Sequence, residues 1–140
     1  MMVLNADTVL LYVEDDPESR TIMSLLLKEL MGLKEFFIFP DSTNFAERLA
    51  ALNRKPDIIL LDIHVRPYNG FEMLALLREQ PAYRQTPVVA LTASVMNEEV
   101  QKLREAGFNA VLAKPLDIDT FPAILNRILC GERVWYALND

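Results

Sequence analysis

The chain has 140 residues, a length that favours one domain able to bury its own core without disulfide or metal staples. It is 51% apolar with a formal net charge of −6, which argues against a nucleic-acid partner. One cysteine, Cys130, excludes an internal disulfide framework and suits a reducing cytoplasm; Met1 to Thr8 lacks the basic and apolar regions of a secretion signal, and no apolar run approaches the ~18 residues of a membrane span.

The elements alternate along the chain. Thr8 to Val13 is a β-rich run that stops at an acidic Glu14-Asp15-Asp16. Asp16 is a good N-cap, and Pro17 fits the first helical position. Ile22, Leu25, Leu26 and Leu30 then recur at helical spacing, and Gly32 suits the helix end. Phe36 to Phe39 reads as a second strand, Thr43 to Asn53 as a helix with Phe45, Leu49 and Leu52 on one face, and Asp57 to Leu61 as a third strand. After an Asn69-Gly70 turn, Phe71, Leu74, Leu77 and Arg78 mark a third helix. Pro87 precedes a fourth strand, Val88 to Ala93. Asn97 can cap a fourth helix that turns Val100, Leu103 and Ala106 inward and ends at Gly107. Ala110 to Ala113 is a fifth strand, and Ile118 to Leu129 a fifth helix capped by Asp117 or Asp119, with Cys130 packed at its end.

Strands apolar on both faces, alternating with helices, imply a parallel sheet covered on both sides. Right-handed crossovers make this a doubly wound α/β fold, whose functional groups gather at the carboxyl ends of the strands. The expectation is a single domain over residues 1–140, with 131–140 a short tail and no output domain.

Those strand ends carry Glu14, Asp15 and Asp16 on the first strand, Asp62 on the third, Thr92 and Ser94 on the fourth and Lys114 on the fifth. Two carboxylates ~5 Å apart repel by about 3 kcal/mol at an effective dielectric of ~20. Glu14, Asp15 and Asp62 therefore need a shared proton or a cation. Oxygen ligands without clustered His or Cys point to Mg²⁺ (or Mn²⁺) rather than zinc. A metal, a carboxylate nucleophile, a hydroxyl and a lysine are the parts that phosphoryl transfer needs.

Taken in order, these motifs resemble the receiver domain of two-component response regulators, over roughly Val9 to Leu129. The resemblance implies a flavodoxin-like (βα)5 fold with five parallel strands in the order 2-1-3-4-5. It places Glu14 and Asp15 on the metal-binding positions and Asp62 on the phospho-acceptor. It places the His64 backbone carbonyl on the metal, Thr92 on the switch hydroxyl and Lys114 on the phosphate-binding lysine. It makes Lys114-Pro115 a cis candidate. It further implies a cytoplasmic signalling protein rather than an enzyme. Such a protein takes its phosphoryl group, with Mg²⁺, from a histidine kinase or phosphotransfer protein, dephosphorylates slowly and signals to a downstream protein. A homodimer through the fourth helix, fifth strand and fifth helix is one further option.

Three features depart from that pattern. The family's loop proline falls fourth after the acceptor; here Arg66 is fourth and Pro67 fifth, although the spacing from Asp62 to Gly70 is kept. Val111 stands where the family carries its switch aromatic, which leaves Phe108 as a substitute. The tail offers Trp135, Tyr136 and Leu138 either as a partner contact or as cover for the fifth helix.

Simpler roles compete with several of these. Asp16 serves best as a helix cap, and His64 as a residue that controls access to Asp62 and the lifetime of a phosphate there. Three other functions compete with the receiver reading. An aspartyl-phosphate phosphatase would want a second acid at the place of His64. A flavin or nucleotide binder would want a Gly/Ser/Thr-rich loop instead of Glu14 to Pro17. A pseudo-receiver, binding partners without phosphorylation, is the remaining alternative, and the complete acidic set, Thr92 and Lys114 argue against it.

Overall fold

The computed structural model describes residues 2–135. Six parallel strands form one sheet: β1 (Leu10–Val13), β2 (Phe36–Phe39), β3 (Ile58–Asp62), β4 (Val88–Thr92), β5 (Ala110–Ala113) and β6 (Val134–Trp135). Their order is β2-β1-β3-β4-β5-β6. The helices are α1 (Pro17–Leu25), α2 (Phe45–Ala50), α3 (Gly70–Arg78), α4 (Asn97–Ala106) and α5 (Phe121–Leu129). The expected doubly wound fold is present.

The sheet separates two cores, as period-two alternation requires. Leu11, Ile59, Leu61, Ala90 and Val111 face α2, α3 and α4, against Leu49, Leu77 and Leu103. Leu10, Tyr12, Leu60, Leu91 and Leu112 face α1 and α5, against Met23, Leu125 and Ile128. β3 and β4 are buried along their whole length. They have no solvent face and so show no alternation of apolar with polar.

The sixth strand corrects the expected five. Gly131, with φ of 100°, turns the chain back after α5. Val134 then pairs with Ala110 and Trp135 with Val111, so the tail covers the outer edge of β5. Val134 is buried, Trp135 packs against the core facing α4, and the Arg104 guanidinium lies 5.5 Å from its ring. An open β5 edge would have left a row of unpaired backbone groups; β6 satisfies part of it. Val134 and Trp135 thus pair with the sheet edge, and Val134 also joins the core that α5 covers. Tyr136 and Leu138 lie outside the described residues.

The first helix buries a different face from the one its spacing indicated. Met23, Leu26 and Leu27 face the core, while Ile22, Leu25 and Leu30 are exposed. Residues 22, 25 and 26 obey the same i, i+3, i+4 rule as 23, 26 and 27, so periodicity alone could not choose between them. From Leu26 to Leu30 the helix also widens to π geometry, with the Met31 amide reaching back to Leu26, which shifts the phase of later residues.

Helix starts differ for local reasons. Asn44 is left-handed (φ 50°), so α2 opens at Phe45 rather than Thr43. The cap of α4 is Met96, whose carbonyl takes the Val100 amide, and Asn97 is the first helical residue. Ala106 is exposed rather than inward. Pro122 has no N–H and belongs in the first turn, so α5 starts at Phe121 with Thr120 as cap, not Asp117 or Asp119. Asp16 caps α1 as expected, accepting from the Ser19 amide at 3.0 Å.

Candidate functional site

Parallel strands in register bring their carboxyl ends to one rim. Val13 pairs with Leu61, Asp62 with Leu91 and Thr92 with Ala113. The residues one step beyond, Glu14 and Lys114, therefore both meet Asp62 although they lie 100 positions apart in sequence.

Lys114 binds both acids. Its Nζ lies 2.7 Å from Glu14 Oε1 and 3.2 Å from Asp62 Oδ2. Asp62 Oδ1 accepts from the His64 amide at 3.1 Å. Glu14 is fully buried; its Oε1 also accepts from the Tyr12 hydroxyl at 2.6 Å, and its Oε2 from the Asp16 amide at 3.3 Å. The Arg20 guanidinium holds the Glu14 carbonyl at 3.0 Å, tying α1 to this turn. Asp15 is exposed, and one carboxylate oxygen each from Glu14, Asp15 and Asp62 lies within 4.8 Å of the others.

The charges are mutually strained. Burial pushes the Asp62 carboxyl up to about 6, and neighbouring Glu14 adds to the rise. Burial acts the same way on Glu14, but bonds from the Asp62 carboxyl, Lys114 and Tyr12 outweigh it and hold Glu14 at about 2. Burial would lower Lys114; its two carboxylate partners keep it above the ordinary lysine range. One lysine thus serves two buried acids, with a third acid at the surface. Three converging carboxylate oxygens, one of them open to solvent, fit a hard divalent cation that keeps several waters. When bound, Mg²⁺ would supply charge neutralisation for those acids and for a phosphoryl group beside them, with Glu14, Asp15 and Asp62 as its holders.

Thr92 is buried on the strand next to Asp62, but its hydroxyl bonds within its own loop. It accepts from the Ser94 amide at 3.0 Å and approaches the Ser94 carbonyl at 3.4 Å. The Lys114 amide donates to the Thr92 carbonyl at 2.9 Å, which joins the two strand ends. His64 is exposed beside Asp62, Val65 is buried, and Arg66 is exposed. Both Arg66-Pro67 and Lys114-Pro115 are cis. The loop with the displaced proline keeps its length, and α3 begins at Gly70. An Asn69–Glu72 capping box marks that start. The Gly70 amide donates to the Ile63 carbonyl at 2.9 Å.

Two participants were not read from sequence, Tyr12 and Arg20. Tyr12 looked like one more apolar strand residue. The signal that finds it is its position two before Glu14, on the same face of the strand.

Beside the site runs an apolar groove of about 250 Å³ between α1 and the loop after Lys114. Its lining includes Tyr12, Ile22, Met23, Pro115, Leu116 and Ile118. Among the described residues no helix is long and apolar enough to cross a membrane.

The fold and the site together define a doubly wound α/β domain with an acidic pocket and a lysine at one sheet rim. Residues 10–126 match the response regulator receiver domain, and the chain belongs to that family. It is 33% identical over 109 residues to an uncharacterized 14.6 kDa protein in the sodA1 3′ region of Leptolyngbya boryana, covering 77% of this chain and 79% of that one. It is 31% identical over 123 residues to the signal transduction histidine-protein kinase BarA of Escherichia coli K12, covering 87% of this chain but only 13% of the kinase. Among solved structures, it resembles the receiver domain of the sensor histidine kinase PA1611 of Pseudomonas aeruginosa, which has a magnesium ion coordinated in its active-site cleft. That likeness has a TM-score of 0.77 and 27% identity, covering 90% of this chain and 100% of that one. It also resembles the chemotaxis response regulator CheY4 of Vibrio cholerae, with a TM-score of 0.77 and 25% identity, over 87% and 98% of the two chains.

Proposed function

We propose that Asp62 accepts a phosphoryl group from the phosphohistidine of a sensor kinase or phosphotransfer protein in the cytoplasm, and that the chain signals by protein contact or by passing the group on. The observation that carries this reading is the meeting of Asp62, Glu14 and Lys114 from three strand ends, with Lys114 within 3.2 Å of both acids.

In the step proposed, an Asp62 oxygen attacks phosphorus in line with the leaving nitrogen. An O–P bond forms and the N–P bond breaks. The donor ring, protonated at its other nitrogen, leaves as neutral imidazole with the electron pair of the broken bond. The His64 amide steadies Asp62 Oδ1, which leaves Oδ2, the oxygen nearer Lys114, as the favoured nucleophile. Lys114 then faces the phosphoryl oxygens, and Thr92 has a hydroxyl to offer once it leaves its own loop. The His64 carbonyl is the remaining proposed ligand of the metal. Attack by water later releases inorganic phosphate and restores the carboxylate.

The donor would dock on the exposed apolar residues beside the site. Ile22, 48% exposed, and Ile118, 45% exposed, line the groove already described, and Leu25, 56% exposed, extends the apolar surface along α1. Solvated apolar residues grouped next to a reactive carboxylate suit a helical partner that presents a histidine. Output would pass through α4 and the outer strands. A homodimer there would include Trp135, because β6 now lies on the edge of β5.

The test is incubation with a small acyl-phosphate donor, with and without Mg²⁺, followed by intact-mass measurement. One added phosphoryl group is expected, dependent on Mg²⁺ and absent from Asp62→Asn. An equal gain in that variant, or none in the wild type, would overturn the reading.

A further inference from the structure

We infer that Tyr12 is a positioning residue for the divalent-ion site, keeping the Glu14 carboxylate aimed at the ion when Lys114 turns to another partner. The inference rests on the metal reading above.

Three observations carry it. First, Tyr12 and Lys114 both bond the same oxygen of Glu14, Oε1, at 2.6 and 2.7 Å. Oε2 takes a longer contact, at 3.3 Å, from the Asp16 amide. The two short bonds fix the rotation of the carboxylate and leave Oε2 as the edge with acceptor capacity to spare. Second, the ring is held in place. Tyr12 is 2% exposed and packed in the core with Met23 of α1 and Leu26 of the π segment that follows it, so the direction of its hydroxyl is set by close packing. Third, Lys114 is divided between two acids, with a second contact to Asp62 at 3.2 Å, whereas Tyr12 has Glu14 alone. Any change at Asp62, whether a bound ion or a new phosphoryl group, redraws the partners of Lys114. Tyr12 is the constant partner of Glu14.

A residue that holds a metal-binding carboxylate from behind typically affects metal affinity 10- to 100-fold. Tyr12→Phe removes only the hydroxyl and keeps the buried ring. Calorimetric Mg²⁺ titration of the unphosphorylated protein is the direct measurement, because it involves no phosphodonor. We expect Kd to rise roughly tenfold in Tyr12→Phe. Tyr83→Phe, which removes a buried hydroxyl on another element, serves as control and should leave Kd within twofold. An unchanged Kd in Tyr12→Phe, or an equal rise in the control, overturns the inference and leaves the metal reading intact. Failure of the wild type to bind Mg²⁺ overturns the metal reading and the inference with it. If Tyr12→Phe does not fold, the tyrosine ring signals in NMR of the wild-type protein decide. The Tyr12 ring signals must move on Mg²⁺ addition, and a titration that leaves them in place overturns the inference.

Discussion

Asp62→Asn should stabilise the metal-free protein at neutral pH. In the fold Asp62 is raised from 3.8 to about 6, first by burial and then by Glu14. The sign follows from linkage: a carboxyl whose folded pKa lies above its unfolded value binds more protons when folded, so the fold loses stability as pH rises through about 6. A shift of about two units at ~1.36 kcal/mol each amounts to about 3 kcal/mol of destabilisation at pH 7.5. Worked at pH 4.5 with the same two values, the penalty shrinks to about 1 kcal/mol. Asparagine keeps the shape, carries no charge and can donate to Glu14 as a protonated Asp62 would. It gives up the Lys114 contact, so a net gain of about 1–3 kcal/mol is expected at pH 7.5. At about 3 °C per kcal/mol for a chain of this size, Tm should rise by roughly 3–9 °C. The assay is thermal unfolding in chelator, followed by circular dichroism, at pH 7.5 and 4.5. Added Mg²⁺ should narrow the gap by stabilising the wild type, by about 2.7 kcal/mol at 100 times its Kd. A less stable Asp62→Asn at pH 7.5 in chelator, or a gap equal at both pH values, would refute the claim that an uncompensated carboxylate burdens this pocket.

Three further outcomes are expected. Ser42 is fully buried, and its hydroxyl both donates to the Tyr68 carbonyl and accepts from the Tyr68 amide, each at 2.7 Å. Ser42→Ala should therefore cost about 1–2 kcal/mol, read as a lower urea midpoint with an unchanged m-value. A Cβ on Gly70 would collide with the Ile63 side chain and come within 3.0 Å of its Cα. Gly70→Ala should lower stability by about 1–3 kcal/mol and, because Ile63 adjoins Asp62, slow phosphorylation by an acyl phosphate in a time course of intact mass. Trp135 is half-buried between Val111 and Arg104. Arg104→Ala should cost about 0.5–1 kcal/mol in thermal melts and shift the emission of Trp135, the chain's sole tryptophan.

What was legible in the sequence, and what was not, follows from the kind of signal each residue carries. The five βα units announced themselves because an all-buried strand leaves a continuous apolar run and a glycine or proline bounds most of the helices. The acidic pocket was legible because charge at the end of a buried strand is costly, so Glu14 and Asp62 stand out against Leu11 or Leu60. Tyr12 did not stand out, since a tyrosine in a strand satisfies β-propensity and burial alike and its hydroxyl partner lies two residues on. β6 was hidden for a different reason. A two-residue strand has no periodicity, and Val134 and Trp135 are strand only because β5 offers an open edge.

The inward face of α1 is ambiguous in the sequence for a reason that bears on function. Ile22 and Leu25 fit the helical spacing as well as Met23 and Leu26 do, and burying one set exposes the other. A helix carrying two adjacent apolar stripes has more apolar surface than its own core can cover. At an ordinary surface position the second stripe would favour association and confer no benefit to the fold. Here Ile22 lines the groove beside Lys114, and the stripe lies on the helix whose first turns hold Glu14 through the Asp16 amide and Arg20. The excess apolar surface and the excess negative charge therefore sit on adjoining sides of one rim. Each is unfavourable in isolation, and each is relieved by a different visitor: the charge by a cation, the apolar stripe by a docking protein. Substituting Ile22 and Leu25 by serine should thus leave folding and acyl-phosphate labelling intact while weakening transfer from a protein phosphodonor. Equal labelling by both donors in that double variant would show that the stripe plays no part in docking.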